Sequence, residues 1–264
     1  MSAYMGLDWS GSGWVGVGLD ADGGYDLDLY PSIASAWRAH PDCRLALVDV
    51  PIGLTDDARR RCEVVASEYL APFRHQSIFW TPVRNAVFSP TLETAKRINQ
   101  RAIGRSVQNQ AWRLCPRIRE VDDFIALLPD TTVGVLRESH PELCFWALNG
   151  ARPLIESKHS EAGIEARLSL LADLHELAKP IYEEAVETYI EPPPHARRLS
   201  GDAHADVLDA LVLAITATMA ASGGLSRIPA DPQRDARDGY SLDIEMVIPA
   251  VARRAEQVSL DELA

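Results

Sequence analysis

Tyr4-Met5-Gly6-Leu7-Asp8-Trp9-Ser10 is the stretch on which the reading of the whole chain turns. It is an apolar run with a single carboxylate inside it. A strand buried on both faces should be almost continuously apolar, and a lone buried charge is costly unless something pairs with it. Asp8 therefore needs company, and similar acids recur. Asp49 follows Arg44-Leu45-Ala46-Leu47-Val48, Glu138 closes Thr132-Val133-Gly134-Val135-Leu136-Arg137, and Asp206 and Asp209 interrupt a late apolar run. Acids at the ends of several buried elements point to a shared cation.

Outward from that strand, Ser10-Gly11-Ser12-Gly13 and Asp22-Gly23-Gly24 are turn signals separating Tyr4–Trp9, Trp14–Leu19 and Tyr25–Tyr30. Pro31 opens a short helix over 32–39, and Arg44–Val50 is a fourth strand, apolar enough to be central and parallel to the first. Three antiparallel strands, a helix and a strand returning beside the first predict a ribonuclease H-like fold. The expected architecture is α/β, a mixed five-stranded sheet flanked by helices. Core segments are expected at 1–55, 130–150 and 200–222, in a single domain 1–264. A large helical insertion, about 56–128, separates strands 4 and 5, with helices at 58–70, 92–103, 107–114 and, after Pro116, 118–128. The fifth strand is expected at Thr132–Glu138, followed by helices up to Asn149-Gly150, over 164–177 and over 180–190. The last major helix is expected over Asp202–Ala221, and 223–264 reads as a tail with one strand, Glu245–Ile248, and a polar helix.

On a helix, Asp202, Asp206 and Asp209 share one face, because spacings of three and four return to it. Asp202 reads as an N-cap; Asp206 and Asp209 lack a structural explanation in so apolar a helix. Asp49 before Pro51-Ile52-Gly53 suits strand-end turn chemistry equally well, and of Glu138 and Glu142 one at most is expected to be a ligand. Asp8, Asp49, Glu138, Asp206 and Asp209 are the candidate catalytic and metal-ligating set. Such oxygens suit Mg²⁺ or Mn²⁺, and two ions about 3.5–4 Å apart would activate water and stabilise the leaving oxygen in phosphodiester cleavage. Arg61, Arg84, Gln110 and Lys158 are candidate substrate-binding residues. His140 and His204 are weaker candidates for proton transfer, and Trp80 and Trp112 are as well suited to the core as to base stacking.

Composition sets the outer bounds. The 264 residues are 47% hydrophobic and 24% charged, ordinary for a globular protein. Four scattered cysteines without a CxxC pair read as free thiols in a reducing compartment. No signal-like leader follows Met1, and the run Leu208–Ala221 is short for a bilayer, so a cytoplasmic protein without a membrane partner is expected. The net charge of −12 argues against general coating of nucleic acid. A local strip, Lys96, Arg97, Arg101, Arg105, Arg113, Arg117 and Arg119, has no acid within it and could touch phosphates, although a solvated helix face explains it too. The oligomeric state is not legible.

Several segments in one order resemble the domain-of-unknown-function family 429, described as nucleases inferred from a ribonuclease H fold. They are Gly6-Leu7-Asp8-Trp9-Ser10, Val48-Asp49-Val50-Pro51-Ile52-Gly53-Leu54 with Arg61-Cys62-Glu63, and Ser77-Ile78-Phe79-Trp80-Thr81-Pro82. Gln110-Ala111-Trp112, Pro116 to Asp122, Glu138-Ser139-His140-Pro141-Glu142 with Phe145, Lys158, Gly163 to Leu171, and Asp206-Val207-Leu208-Asp209-Ala210 complete the series. The resemblance implies the same fold and a metal-dependent, nuclease-like site at the five acids, and little about substrate. Two other classes compete: an actin-like or sugar-kinase-like ATP-dependent phosphotransferase, suggested by Asp8-Trp9-Ser10-Gly11-Ser12-Gly13, and a catalytically silent scaffold of ribonuclease H fold.

Overall fold

The structure is a computed structural model that describes residues 2–196, 198–199 and 202–251. Three antiparallel strands open the chain: β1 (Tyr4–Trp9), β2 (Trp14–Leu19) and β3 (Tyr25–Tyr30). Helix α1 (Ile33–Ala39), capped by the Ser32 hydroxyl, leads to β4 (Leu45–Val48). The helical stretch follows, with α2 (Arg61–Leu70), α3 (Arg84–Val87), α4 (Leu92–Ile103), α5 (Asn109–Leu127) and α6 (Pro129–Thr132). Then come β5 (Leu136–Glu138), α7 (Pro141–Leu148), α8 (Glu161–Leu174), α9 (Ala178–Ala185) and α10 (Ala203–Thr218). A hairpin, β6 (Leu225–Arg237) and β7 (Tyr240–Pro249), ends the described chain.

The main sheet runs β3-β2-β1-β4-β5, with β1 antiparallel to β2 and parallel to β4, and β4 parallel to β5. Its two faces are read from side-chain alternation. Tyr4, Leu45 and Leu47 pack into the cluster that holds α10, whereas Met5, Leu7, Ala46 and Val48 pack on the opposite side with residues of α1 and α5. Helix α10 crosses directly over Gly6. A Cβ there would lie 2.0 Å from the Ala210 carbonyl oxygen and 2.3 Å from the Ala214 nitrogen, so only glycine permits the approach. With Ala210 and Ala214 above Gly6, the preceding turn of α10, carrying Asp206 and Asp209, lies over the C-terminal end of β1.

Three expectations need revision. The helix expected to break at Pro116 is one helix of 19 residues. Its buried stripe of Cys115, Ile118, Val121, Phe124 and Ile125 offsets the roughly 3 kcal/mol that an internal proline costs. The fifth strand is shorter than Thr132–Glu138, because Thr132 ends α6. The stretch from 223 onward is no mere tail: Leu242, Ile244, Met246, Val247 and Ile248 are buried against the body of the protein. Its first strand, β6, carries Pro229 and Pro232 inside a register shift between Ile228 and Gln233, where no ladder donor is needed. The polar helix expected at the C-terminus lies outside the described residues. The four cysteines are unpaired. Residues Ala203–Ser222 are by length and composition apolar enough to cross a bilayer, but this segment is mostly buried inside the protein and carries Asp206 and Asp209.

Candidate functional site

The register decides which acids meet. Leu7 pairs with Val48, so Asp8 and Asp49, each the next residue, emerge side by side at the C-terminal edge of the parallel strands. Both share the face of Gly6 and Leu47, the face that α10 covers. Asp8, Asp49, Asp206 and Asp209 accordingly line one cavity of about 200 Å³, together with Trp9, Val50, Pro51, Ile78, Phe79, Leu114, Ser139, His140 and Lys158. All five expected acids border this cavity, but only these four share the face that α10 covers.

Glu138 is not one of them in chemical terms. It pairs in register with Val48 and so projects to the opposite face of the sheet from Asp8 and Asp49. It borders the cavity, but both oxygens bond to the Arg60 guanidinium, and one accepts the Ile52 amide at 2.7 Å. Arg60 also donates to Glu63 at 2.9 Å and to the Ile52 and Gly53 carbonyls, leaving a paired, buried cluster. Of the Arg59-Arg60-Arg61 run, the middle residue is the one that turns inward.

The basic candidates divide as well. Arg61 is exposed and faces the hairpin, donating to the Asp231 carbonyl at 2.7 Å, away from the cavity. Arg84 is spent in a network with Asp122 and Asp235, completed by Arg237, so it is a structural residue. Gln110 lines an adjoining cavity of about 320 Å³ that shares Asp49, Phe79, His140, Lys158 and Asp209. Lys158 stands in the site, its Nζ 2.6 Å from Asp209 Oδ2. Asp202 holds the N-cap position of α10 without a capping bond and faces His159 at 3.3 Å. His204 bonds to the Tyr182 hydroxyl at 2.6 Å, outside this cavity.

The electrostatics of the cavity are one-sided. Burial raises the Asp8 pKa well above the ordinary carboxylate value, and Asp49, Asp209 and Asp206 raise it further. Burial, together with Asp209, also raises Asp49, against the influence of His140 and Lys158. Asp206 is pushed up to about 7, by burial first and by Asp209 second. Burial disfavours the charge on Lys158, but Asp209, Asp8 and Asp49 outweigh it and raise its pKa. Two polar atoms in the cavity wall, Asp209 Oδ1 and His140 Nδ1, are buried without a hydrogen-bond partner among the described residues. Asp209 is only 1% exposed, so an unsatisfied carboxylate oxygen there is expensive.

The donor set suits a hard cation. It consists of carboxylate oxygens with no thiolate, the chemistry of Mg²⁺ or Mn²⁺. Among the described residues no three His, Cys, Asp or Glu side chains form a ready-made metal cage.

Sequence reading places the aromatic loop from Ser77 to Arg84 near the site, and its Phe79 does reach the rim, but Trp9 was not foreseen there. Trp9 borders the cavity with the Arg117 guanidinium 4.1 Å from its ring centroid, and Phe79 stands partly exposed where the two cavities meet. Trp80 instead lies beneath Arg59, and Trp112 packs against two hydrophobic clusters. The alternation of β1 put Trp9 beside Asp8 but could not say what covers it. Within the basic strip, Arg117 is paired with Glu120 and Arg119 donates to the Cys115 carbonyl.

Fold and site define a class: a mixed α/β protein with an aspartate-lined pocket at the C-terminal edge of its parallel strands. Within it, the chain belongs to the family described as protein of unknown function, DUF429, whose model matches residues 6–234. No curated protein and no solved structure matches the chain.

Proposed function

We propose that this protein is a divalent-metal-dependent hydrolase of phosphodiester bonds in DNA or RNA, built on a ribonuclease H-like sheet. The strand order, with acids after β1 and β4 and on a late helix, supports the fold reading. One observation carries the functional reading: among the described residues, four aspartates share a pocket with a single ammonium, and a buried Asp209 oxygen has no hydrogen-bond partner. Buried like charges are kept where an activity needs them.

Asp8, Asp49, Asp206 and Asp209 would hold Mg²⁺ or Mn²⁺. Such an ion, when bound, supplies Lewis-acid stabilisation of the leaving oxygen and makes a bound water more acidic. His140, with its free Nδ1 beside Asp49, is suited to hold or pass a proton at that nitrogen. Phe79 and the Trp9–Arg117 stack offer flat apolar surface for a base next to the phosphate. The overall negative charge confines nucleic-acid contact to this rim and its neighbouring arginines.

The test is hydrolysis of single- and double-stranded DNA and RNA with Mg²⁺ or Mn²⁺. Wild-type protein should cleave at least one of these, and Asp8→Asn or Asp209→Asn should lower the rate by more than about a hundredfold. Absence of cleavage by the wild type with either ion would reject the reading.

A further inference from the structure

We propose that Lys158 is the pocket's resident counter-cation, which holds the aspartates together in the ion-free protein and leaves Asp209 when a divalent cation enters. The proposal rests on the metal-site reading above and concerns what the chain does before the ion arrives.

The loop carrying Lys158 is pinned along its backbone. Arg74 donates to the Leu154 carbonyl at 2.8 Å, to the Ile155 carbonyl at 3.0 Å and to the Glu156 carbonyl. The fully buried Arg167, paired with Glu142, also donates to the Glu156 carbonyl. The Ser160 hydroxyl holds the Ser157 carbonyl at 2.8 Å, and a Cβ on Gly163 would lie 1.8 Å from that same oxygen. Two arginines and an obligatory glycine thus fix the main chain on both sides of Lys158.

The side chain beyond that anchor is held only at its tip, by Asp209. It is 31% exposed, whereas Asp209 beneath it is almost fully covered. Lys158 borders not only the aspartate cavity but also the adjoining cavity of about 320 Å³ and a third of about 580 Å³. An ammonium on a flexible four-carbon stem can move into either neighbour without moving the loop. While it sits on Asp209 it repels any divalent ion approaching the same carboxylates.

Calorimetric titration of Mn²⁺ into wild type and Lys158→Gln tests this. The variant should bind Mn²⁺ more tightly, on the order of tenfold, and melt lower than wild type in chelator. Equal or weaker binding by Lys158→Gln, alongside measurable binding by wild type, would overturn the counter-cation role while sparing the metal site. No binding by either protein would remove the metal site and this proposal together. A measurement on wild type alone guards against a variant that fails to fold: acylation of lysines by an activated ester, read by mass spectrometry. Lys158 should react slowly in chelator and faster with Mn²⁺, with Lys96 and Lys179 unchanged as internal controls. A Lys158 rate indifferent to Mn²⁺ would overturn the proposal.

Discussion

The Arg60 cluster and the aspartate pocket are both buried and charged and lie on neighbouring strands, yet they are built on opposite terms. Around Arg60, the acids Glu63 and Glu138 share one guanidinium, and the Thr81 amide donates to Glu63 and the Ile52 amide to Glu138 as well. The Arg84–Arg237–Asp122–Asp235 network repeats the pattern, with the Leu54 amide donating to Asp235 at 3.0 Å. In the pocket, four acids meet one lysine, and an oxygen is left over. Charge that closes on itself holds the fold together. Charge left open is what the proposed metal site rests on.

Substitutions should separate the two regions by sign. Arg60→Leu strands two buried carboxylates and should cost about 3–5 kcal/mol in urea unfolding. Asp8→Asn removes one of several mutually repelling acids, so in chelator it should stabilise the protein by about 1–2 kcal/mol. If Asp8→Asn were instead as damaging as Arg60→Leu, the pocket would be a structural cluster like its neighbour.

The pocket and the Arg84–Arg237–Asp122–Asp235 network should also respond oppositely to pH, whereas in the Arg60 cluster burial raises Glu63 and Glu138 as it raises the pocket acids. Asp206 rises from 3.8 to about 7 on folding, so the folded chain keeps a proton that the unfolded chain releases between those values. Its contribution is therefore full below about 4 and fades as pH rises toward 7. Asp235 has the opposite sign. Burial would raise it, but Arg237, the Leu54 amide and Arg84 outweigh burial and hold it below its ordinary value. Its contribution is present above about 4 and is lost as pH falls further. In chelator, the unfolding free energy of Asp206→Asn should fall less between about pH 4.5 and 7 than that of wild type; parallel curves would count against the pocket's repulsion. The smallest effect belongs to Arg61→Ala, an exposed partner of an exposed acid, expected within about 0.5 kcal/mol of wild type.

How much of this was legible follows from how local each signal is. Asp8, Asp206 and Asp209 could be read because a carboxylate inside an apolar strand or helix contradicts its own neighbourhood. That Glu138 borders the cavity from the other face and is paired with Arg60 was not legible, because its face depends on pairing with Val48, a register that one strand's sequence does not carry. That one of Arg59, Arg60 and Arg61 points inward was read from the sequence, but the partners were not, for a similar reason: Arg60 meets Glu138 at a separation of 78 residues, and Arg84 meets Asp235 at 151. The hairpin left a usable signal. Asp238-Gly239 between Arg237 and Tyr240 is a two-residue turn with Gly239 at φ +86°, obscured by the prolines of β6.

Equilibrium dialysis of the wild type and of Asp8→Asn/Asp209→Asn against Mn²⁺ tests the open-charge claim most directly. The imbalance predicts that wild type retains Mn²⁺ and that the double variant, folded and at least as stable in chelator, retains none. A wild type that stayed free of Mn²⁺ up to millimolar concentration would contradict it.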